Sequence, residues 1–128
     1  MDILVPISKC EQVEPYIMAG ADEFYFGLDD RNWNFKYNQF EEINRMSSFG
    51  RKANVELDTA KKIIKTIKEN KKKVFMTLNS CHYSESQRRY LKEMLSSPEL
   101  SNIDGVIAGD LSIFGMIKNL GFNITVST

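Results

Sequence analysis

The chain has 128 residues, 42% of them hydrophobic and 27% charged, and its 17 basic groups balance its 17 acidic ones. That length suits one domain or part of one, with about two-thirds of the unfolded surface buriable, and zero net charge leaves no overall field to gather polyanions or polycations. No apolar run approaches the roughly 20 residues of a membrane span, and the first residues lack the basic and apolar regions of a secretory signal, so a cytoplasmic location is expected.

Ile3-Leu4-Val5-Pro6-Ile7 reads as a short buried strand, with Pro6 near its end because proline cannot donate to a ladder. Ser8 and Glu11 form a capping-box pattern that opens a helix to about Ala19, and Gly20 ends it. Glu23 to Gly27 is the second strand. The connection over residues 28–53 is then far longer than the about 2–6 residues usual between a strand and its helix. It mixes Trp33, Phe35, Tyr37 and Phe40 with Arg31, Asn32, Asn34, Asn38, Asn44 and Arg45. Such a mixture suits a lid or substrate wall, and equally a plug over the end of a sheet. A short helix is expected inside it, from Gln39 to Met46.

Leu57, Ala60, Ile63, Ile64 and Ile67 trace one face of a helix reaching Asn70, and lysines fill the rest. Residues 1–60 carry six basic and eleven acidic groups, and residues 61–128 carry eleven and six. The excess lies mostly on the polar side of this helix, so a solvated face is expected there and a nucleic-acid partner is not. Val74 to Asn79 is too dense in apolar residues for a half-wetted strand and reads as a central parallel strand covered on both faces. Ser84 and Gln87 make a second capping box, opening a helix whose stripe is Tyr90, Leu91, Met94 and Leu95 and which stops before Pro98. Gly105 to Ala108 is the fourth strand, Asp110 caps a helix to about Leu120, and residues 123–128 form the fifth strand.

Strand and helix alternating four times before a last strand argue for parallel pairing through right-handed crossovers. Two architectures begin this way. One is half of a TIM-type (β/α)8 barrel with strand order 1-2-3-4-5, whose full form takes about 250 residues. The other is an open five-stranded doubly wound sheet, which should end in a covering helix. A final strand buried on both faces leaves a sticky ladder edge, so residues 1–128 are expected to form a single partial barrel domain that stops before closure.

Chemistry in such folds gathers where the strands end. His82 follows the third long strand and is the one side chain whose ordinary pKa lies near neutrality, which makes it the candidate general base; the alternative is a surface residue ahead of a helix cap. Asn79, with Tyr83 just beyond it, is a candidate for orienting a substrate carbonyl. Asn44 and Arg45 could clamp a carboxylate or phosphate, against an ion pair of Arg45 with Glu41 or Glu42 at helical spacing. Asp110 is a substrate-binding candidate and, alternatively, a helix cap. Cys81 and His82 are adjacent, so on an extended chain they point to opposite faces. Cys10 and Cys81 fit no metal-ligand spacing and cannot supply the four ligands of an ordinary iron–sulfur cluster, so no cofactor and no metal is expected from these residues. No phosphate-binding glycine loop and no HExxH is present.

Gly20-Ala21-Asp22-Glu23-Phe24-Tyr25-Phe26-Gly27 resembles the GAD-x-x-Y-x-G pattern at the second strand of the collagenase-like peptidase (U32) family. Leu4-Val5-Pro6, Ala53-Asn54, Val74 through Asn79 with its T-x-N ending, Ile103 through Ile107 with Asp110, and Ile124 through Thr128 are similar to that family in order and spacing. Ile7-Ser8 departs from the small residues usual after the first strand. The resemblance implies the N-terminal half of a barrel that supplies substrate-positioning loops for a peptide or other small substrate and is inactive alone. Its defining glutamate, glycines and cysteines belong to a later part of the barrel. Members implicated in hydroxylation of RNA or quinone precursors hold an iron–sulfur cluster there, so a member of that kind lacking its iron–sulfur half is an alternative. A self-contained α/β binding module is a further alternative, and a homodimer through open sheet edges is expected of a half-barrel.

Overall fold

The computed structural model describes residues 1–37, 43–45 and 53–127. Among these residues six strands form one sheet: β1 (Leu4–Pro6), β2 (Glu23–Leu28), β3 (Asn54–Val55), β4 (Lys73–Leu78), β5 (Gly105–Ala108) and β6 (Asn123–Val126). Every pairing is parallel, and the order is β1-β2-β4-β5-β6, with the two residues of β3 attached to Gly27 and Leu28 of β2. The five longer strands thus stand in chain order, without the reversal of a doubly wound sheet, and the sheet is open among the described residues.

Parallel neighbours joined in order by right-handed crossovers must carry their helices on one side. The helices are α1 (Val13–Met18), α2 (Arg31–Tyr37), α3 (Leu57–Glu69), α4 (Glu85–Leu95) and α5 (Phe114–Asn119). α1 touches α3, and α4 touches α5. Strand residues alternate accordingly. Phe24, Phe26, Leu28, Val74, Met76, Leu78, Val106 and Ala108 are buried beneath the helices. Tyr25, Phe75 and Ile107, on the opposite face, are only half-buried, and Thr125 is exposed. β4 was expected to be covered on both faces. The helix layer covers one, and on the other only Thr77, whose hydroxyl donates to the Phe26 carbonyl at 3.2 Å, is fully enclosed.

α3 forms where its amphipathic pattern places it, with Ala60, Ile63, Ile64 and Ile67 buried. α4 opens with the Ser84–Gln87 capping box, and Gly20 and Gly121 take positive φ just past α1 and α5. At the first helix the cap shifts by one residue. Gln12, not Glu11, closes the box, its Oε1 accepting from the N–H groups of Ser8 and Lys9 at 3.1 Å each, and a 3-10 turn precedes α1. Asp110 caps a 3-10 turn, Leu111–Ile113, before α5 begins.

The long connection holds α2, which no sequence pattern announced. Asp30 starts it by accepting from the Trp33 N–H at 3.1 Å. Trp33 is buried and meets the rings of Tyr37, Tyr83 and Tyr90 at centroid distances of 4.7, 6.1 and 5.5 Å. The helix expected from Gln39 to Met46 falls largely outside the described residues, as do Asn38, Phe40, Glu41, Glu42 and Thr128. Of that span, Ile43 to Arg45 are described, as a bend entering a 3-10 residue. Among the described residues no helix is long and apolar enough to cross a membrane.

The free edges of the sheet have a definite polarity. The Ile7 N–H donates to Tyr25 in β2 and the Ser127 N–H to Ala108 in β5. By alternation, Leu4 and Pro6 on β1, and Ile124 and Val126 on β6, turn their backbone groups outward. Leu4 is 41% and Val126 63% exposed.

Candidate functional site

Ile43, Asn44 and Arg45 return over the carboxyl ends of the strands and are held there from three directions. The Arg45 N–H donates to Asn79 Oδ1 at 2.9 Å, at the end of β4. The Arg45 guanidinium donates through Nη2 to the Ser127 hydroxyl at 2.6 Å, at the end of β6. The Tyr83 hydroxyl, in the turn after β4, donates to the Ile43 carbonyl and accepts from the Ser80 N–H at 3.2 Å.

Glycine makes this approach possible on the β2 side. A Cβ on Gly27 would collide with Asn54 Oδ1 and lie 2.8 Å from Asn44 Nδ2, so the two amides occupy the space that a side chain would fill. Asn44 is wholly buried. Gly109, after β5, has the Asn79 carbonyl 3.0 Å from where its Cβ would stand. Thr77, Ile107 and Thr125 are register partners across β4, β5 and β6. Two residues further along each strand, Asn79, Gly109 and Ser127 continue that row; the Asn79 and Ser80 carbonyls occupy the space a side chain on Gly109 would take, and Arg45 hydrogen-bonds to the side chains of both Asn79 and Ser127.

The sequence-predicted residues therefore separate into groups. Asn79, Asn44 and Arg45 come together at the strand ends, joined by Asn54, Thr77 and Ser127, which the sequence reading had not singled out as site residues. Tyr83 is buried beneath the Ile43 carbonyl, and burial pushes its phenol up to about 12 against the opposing effect of Ser80. Asp110 lies on the helix side, where its oxygens accept from the Tyr83 N–H at 2.8 Å and the Ser112 N–H at 2.9 Å. Burial pushes its carboxyl up, but those hydrogen bonds from Ser112 and Tyr83, with the nearby His82, hold it below the usual value. His82 itself is exposed, one residue after the exposed Cys81.

Cys10 lies against α3, its sulfur 3.3 Å from the Thr66 hydroxyl. Cys81 is exposed in the turn after β4, and two thiols do not supply the four ligands of an ordinary iron–sulfur cluster. Among the described residues, no three His, Cys, Asp or Glu side chains gather as metal ligands. The signal that Asn79 and Ser127 belong together was present as a shared ending, Thr77-Leu78-Asn79 and Thr125-Val126-Ser127, on strands two places apart. A family model described as Peptidase family U32 matches residues 8–128. No curated protein and no solved structure matches the chain.

Proposed function

The chain belongs to peptidase family U32, and from that premise we propose that it forms the first half of a TIM-type barrel whose strand ends position a peptide or other small substrate. The observation that carries this reading is the anchoring of Ile43-Asn44-Arg45 across the ends of β4 and β6 by Asn79, Tyr83 and Ser127. It brings three amides, two hydroxyls and a guanidinium to the place where parallel α/β folds bind their ligands. The consecutive strand order and the one-sided helix layer support the barrel half of the reading.

Among the described residues of this cluster no general base stands, and His82 is exposed on the turn beyond them. The reading is one of positioning, with no turnover expected of this chain alone. A photoreactive peptide should label residues 43–45, Asn79, Gly109 and Ser127, and labelling confined to the lysine face of α3 would overturn the assignment. Hydrolysis of that peptide by the purified chain, abolished by His82→Ala, would refute the claim that it is inactive alone. A homodimer through β1 and β6 is a second reading, favoured by the exposure of Leu4 and Val126 at the two edges. Light scattering tests it, and a monomer at every concentration would exclude it.

A further inference from the structure

We infer that the chain pairs with a second copy of itself through two neighbouring patches of opposite charge, an acidic cleft and the lysine face of α3, each copy's cleft receiving the other's lysines. The pairing goes beyond the positioning role and uses other residues. A cleft of about 390 Å³ lies between the start of α2, the start of α3 and the end of α4, with Asp29, Asp30, Glu56 and Asp58 around it and Leu57 and Met94 as apolar lining. Glu56 has a cation, the Arg31 guanidinium at 3.0 Å. Asp29 accepts from the Asn34 amide at 2.8 Å, and Asp30 from the Trp33 N–H at 3.1 Å and the Tyr90 hydroxyl at 2.8 Å, all neutral donors. Asp58 makes no hydrogen bond or ion pair among the described residues.

One turn along α3 the sign reverses. Lys61 and Lys62 stand three and four residues after Asp58, so all three share one helical face. Both lysines are exposed, and neither has an acidic partner among the described residues, whereas Lys65, Lys68 and Lys72 face Glu69, Asp104 and Asp22. Asp30 caps α2, and Asp58 complements the dipole at the start of α3, but neither role gives its carboxylate a cation. What the cleft lacks, the adjoining face holds in excess, and that identifies the occupant. Adjacent patches of opposite sign are self-complementary about a two-fold axis, so the contact closes at two copies. A lysine stem packs on apolar surface while its ammonium stays among polar groups, and Leu57, 39% exposed, offers such surface beside the carboxylates. Zero net charge removes overall repulsion between copies.

Sedimentation velocity of the purified chain over a concentration series tests this. The expected result is a dimer whose dissociation constant rises at least about tenfold between about 0.01 M and about 1 M salt, as the screening length shrinks from about 30 Å to about 3 Å. Reversing either patch, by Lys61→Glu with Lys62→Glu or by Asp29→Lys with Asp58→Lys, should give a monomer. Mixed in equal amounts, the two variants should dimerise again, because each offers the other a cleft and a helix face of opposite sign. That recovery also shows that both variants fold.

A wild type that is monomeric at low salt, a dimer indifferent to salt and to both reversals, or a mixture that stays monomeric would overturn the inference. A dimer that survives both reversals and is lost on Val126→Asp belongs to the sheet edges, which removes this pairing and leaves that second reading standing. If the wild type is monomeric and pentalysine shifts the amide NMR signals of Asp29 and Asp58, the cleft takes a basic partner other than this chain, and self-pairing is equally overturned.

Discussion

Tyr83→Phe isolates the anchor of the returning segment. The ring is buried and stands edge-on to Trp33, and phenylalanine keeps that packing. What is lost is the donor to the Ile43 carbonyl and the acceptor for the Ser80 N–H. A buried polar group deprived of its partner costs about 1–3 kcal/mol, and Ile43 is buried while Ser80 is only half so, which gives about 2 kcal/mol in total. Urea unfolding followed by Trp33, the single tryptophan, should show the midpoint falling by about 1 M at pH 7, for a slope of about 2 kcal/mol per molar.

The same hydroxyl makes the difference pH-dependent. The folded-state pKa of Tyr83 is raised from 10.0 to about 12. Its contribution is therefore fully present below pH 10 and is lost as pH rises towards 12. Two pKa units correspond to about 2.7 kcal/mol, so the gap between the wild type and Tyr83→Phe should close across that window. Tyr90, raised by burial and by its hydrogen bond to Asp30, is present in both proteins and cancels in the comparison. A midpoint at pH 7 unchanged within about 0.2 M, where about 1 M is expected, would refute the anchoring of Ile43 by Tyr83.

Gly27→Ala should destabilise the fold by about 1–3 kcal/mol in thermal unfolding, because its methyl would overlap Asn54 and Asn44. Gly115→Ala, in α5 with nothing near its Cβ position, is the control and should stabilise by up to about 1 kcal/mol. Asp110→Ala should cost about 0.5–2 kcal/mol at neutral pH through loss of the cap. Since its folded pKa is lowered, that contribution is present above the ordinary carboxylate value and lost as pH falls through the folded one, so the variant's acid-unfolding curve should converge on the wild type's. Asp104→Asn should keep the oxygen that accepts from the Val74 N–H while losing the ion pair to Lys68, and so should lower stability by less than about 1 kcal/mol in urea.

The parallel order and the longer helices were legible because their signals are local and periodic. Ile63, Ile64 and Ile67 lie on one stripe, and Ser84 with Gln87 marks a helix start whatever lies around it. α2 escaped because its pattern is broken: Phe35 is 94% exposed, and only Trp33 of its aromatic residues is buried. β3 is two residues long, below the reach of any alternation. Asn79, Asn44 and Arg45 could be nominated singly, from the polar ending of a strand and the composition of a loop. Their meeting with Asn54 and Ser127 depends on register and on the return of a long segment, which residue spacing does not encode. Asp110 illustrates the reverse case, since the cap pattern is local and the structure places its carboxylate as that cap.

Pro6 gives the open sheet unequal flanks. On β1 the outward-facing residues are Leu4 and Pro6, and proline has no N–H, so this rim presents a single amide to an incoming strand. On β6, Ile124 and Val126 both present theirs. Self-templated growth would therefore begin at β6, and a charge substituted for Val126 should suppress precipitation more effectively than one substituted for Leu4.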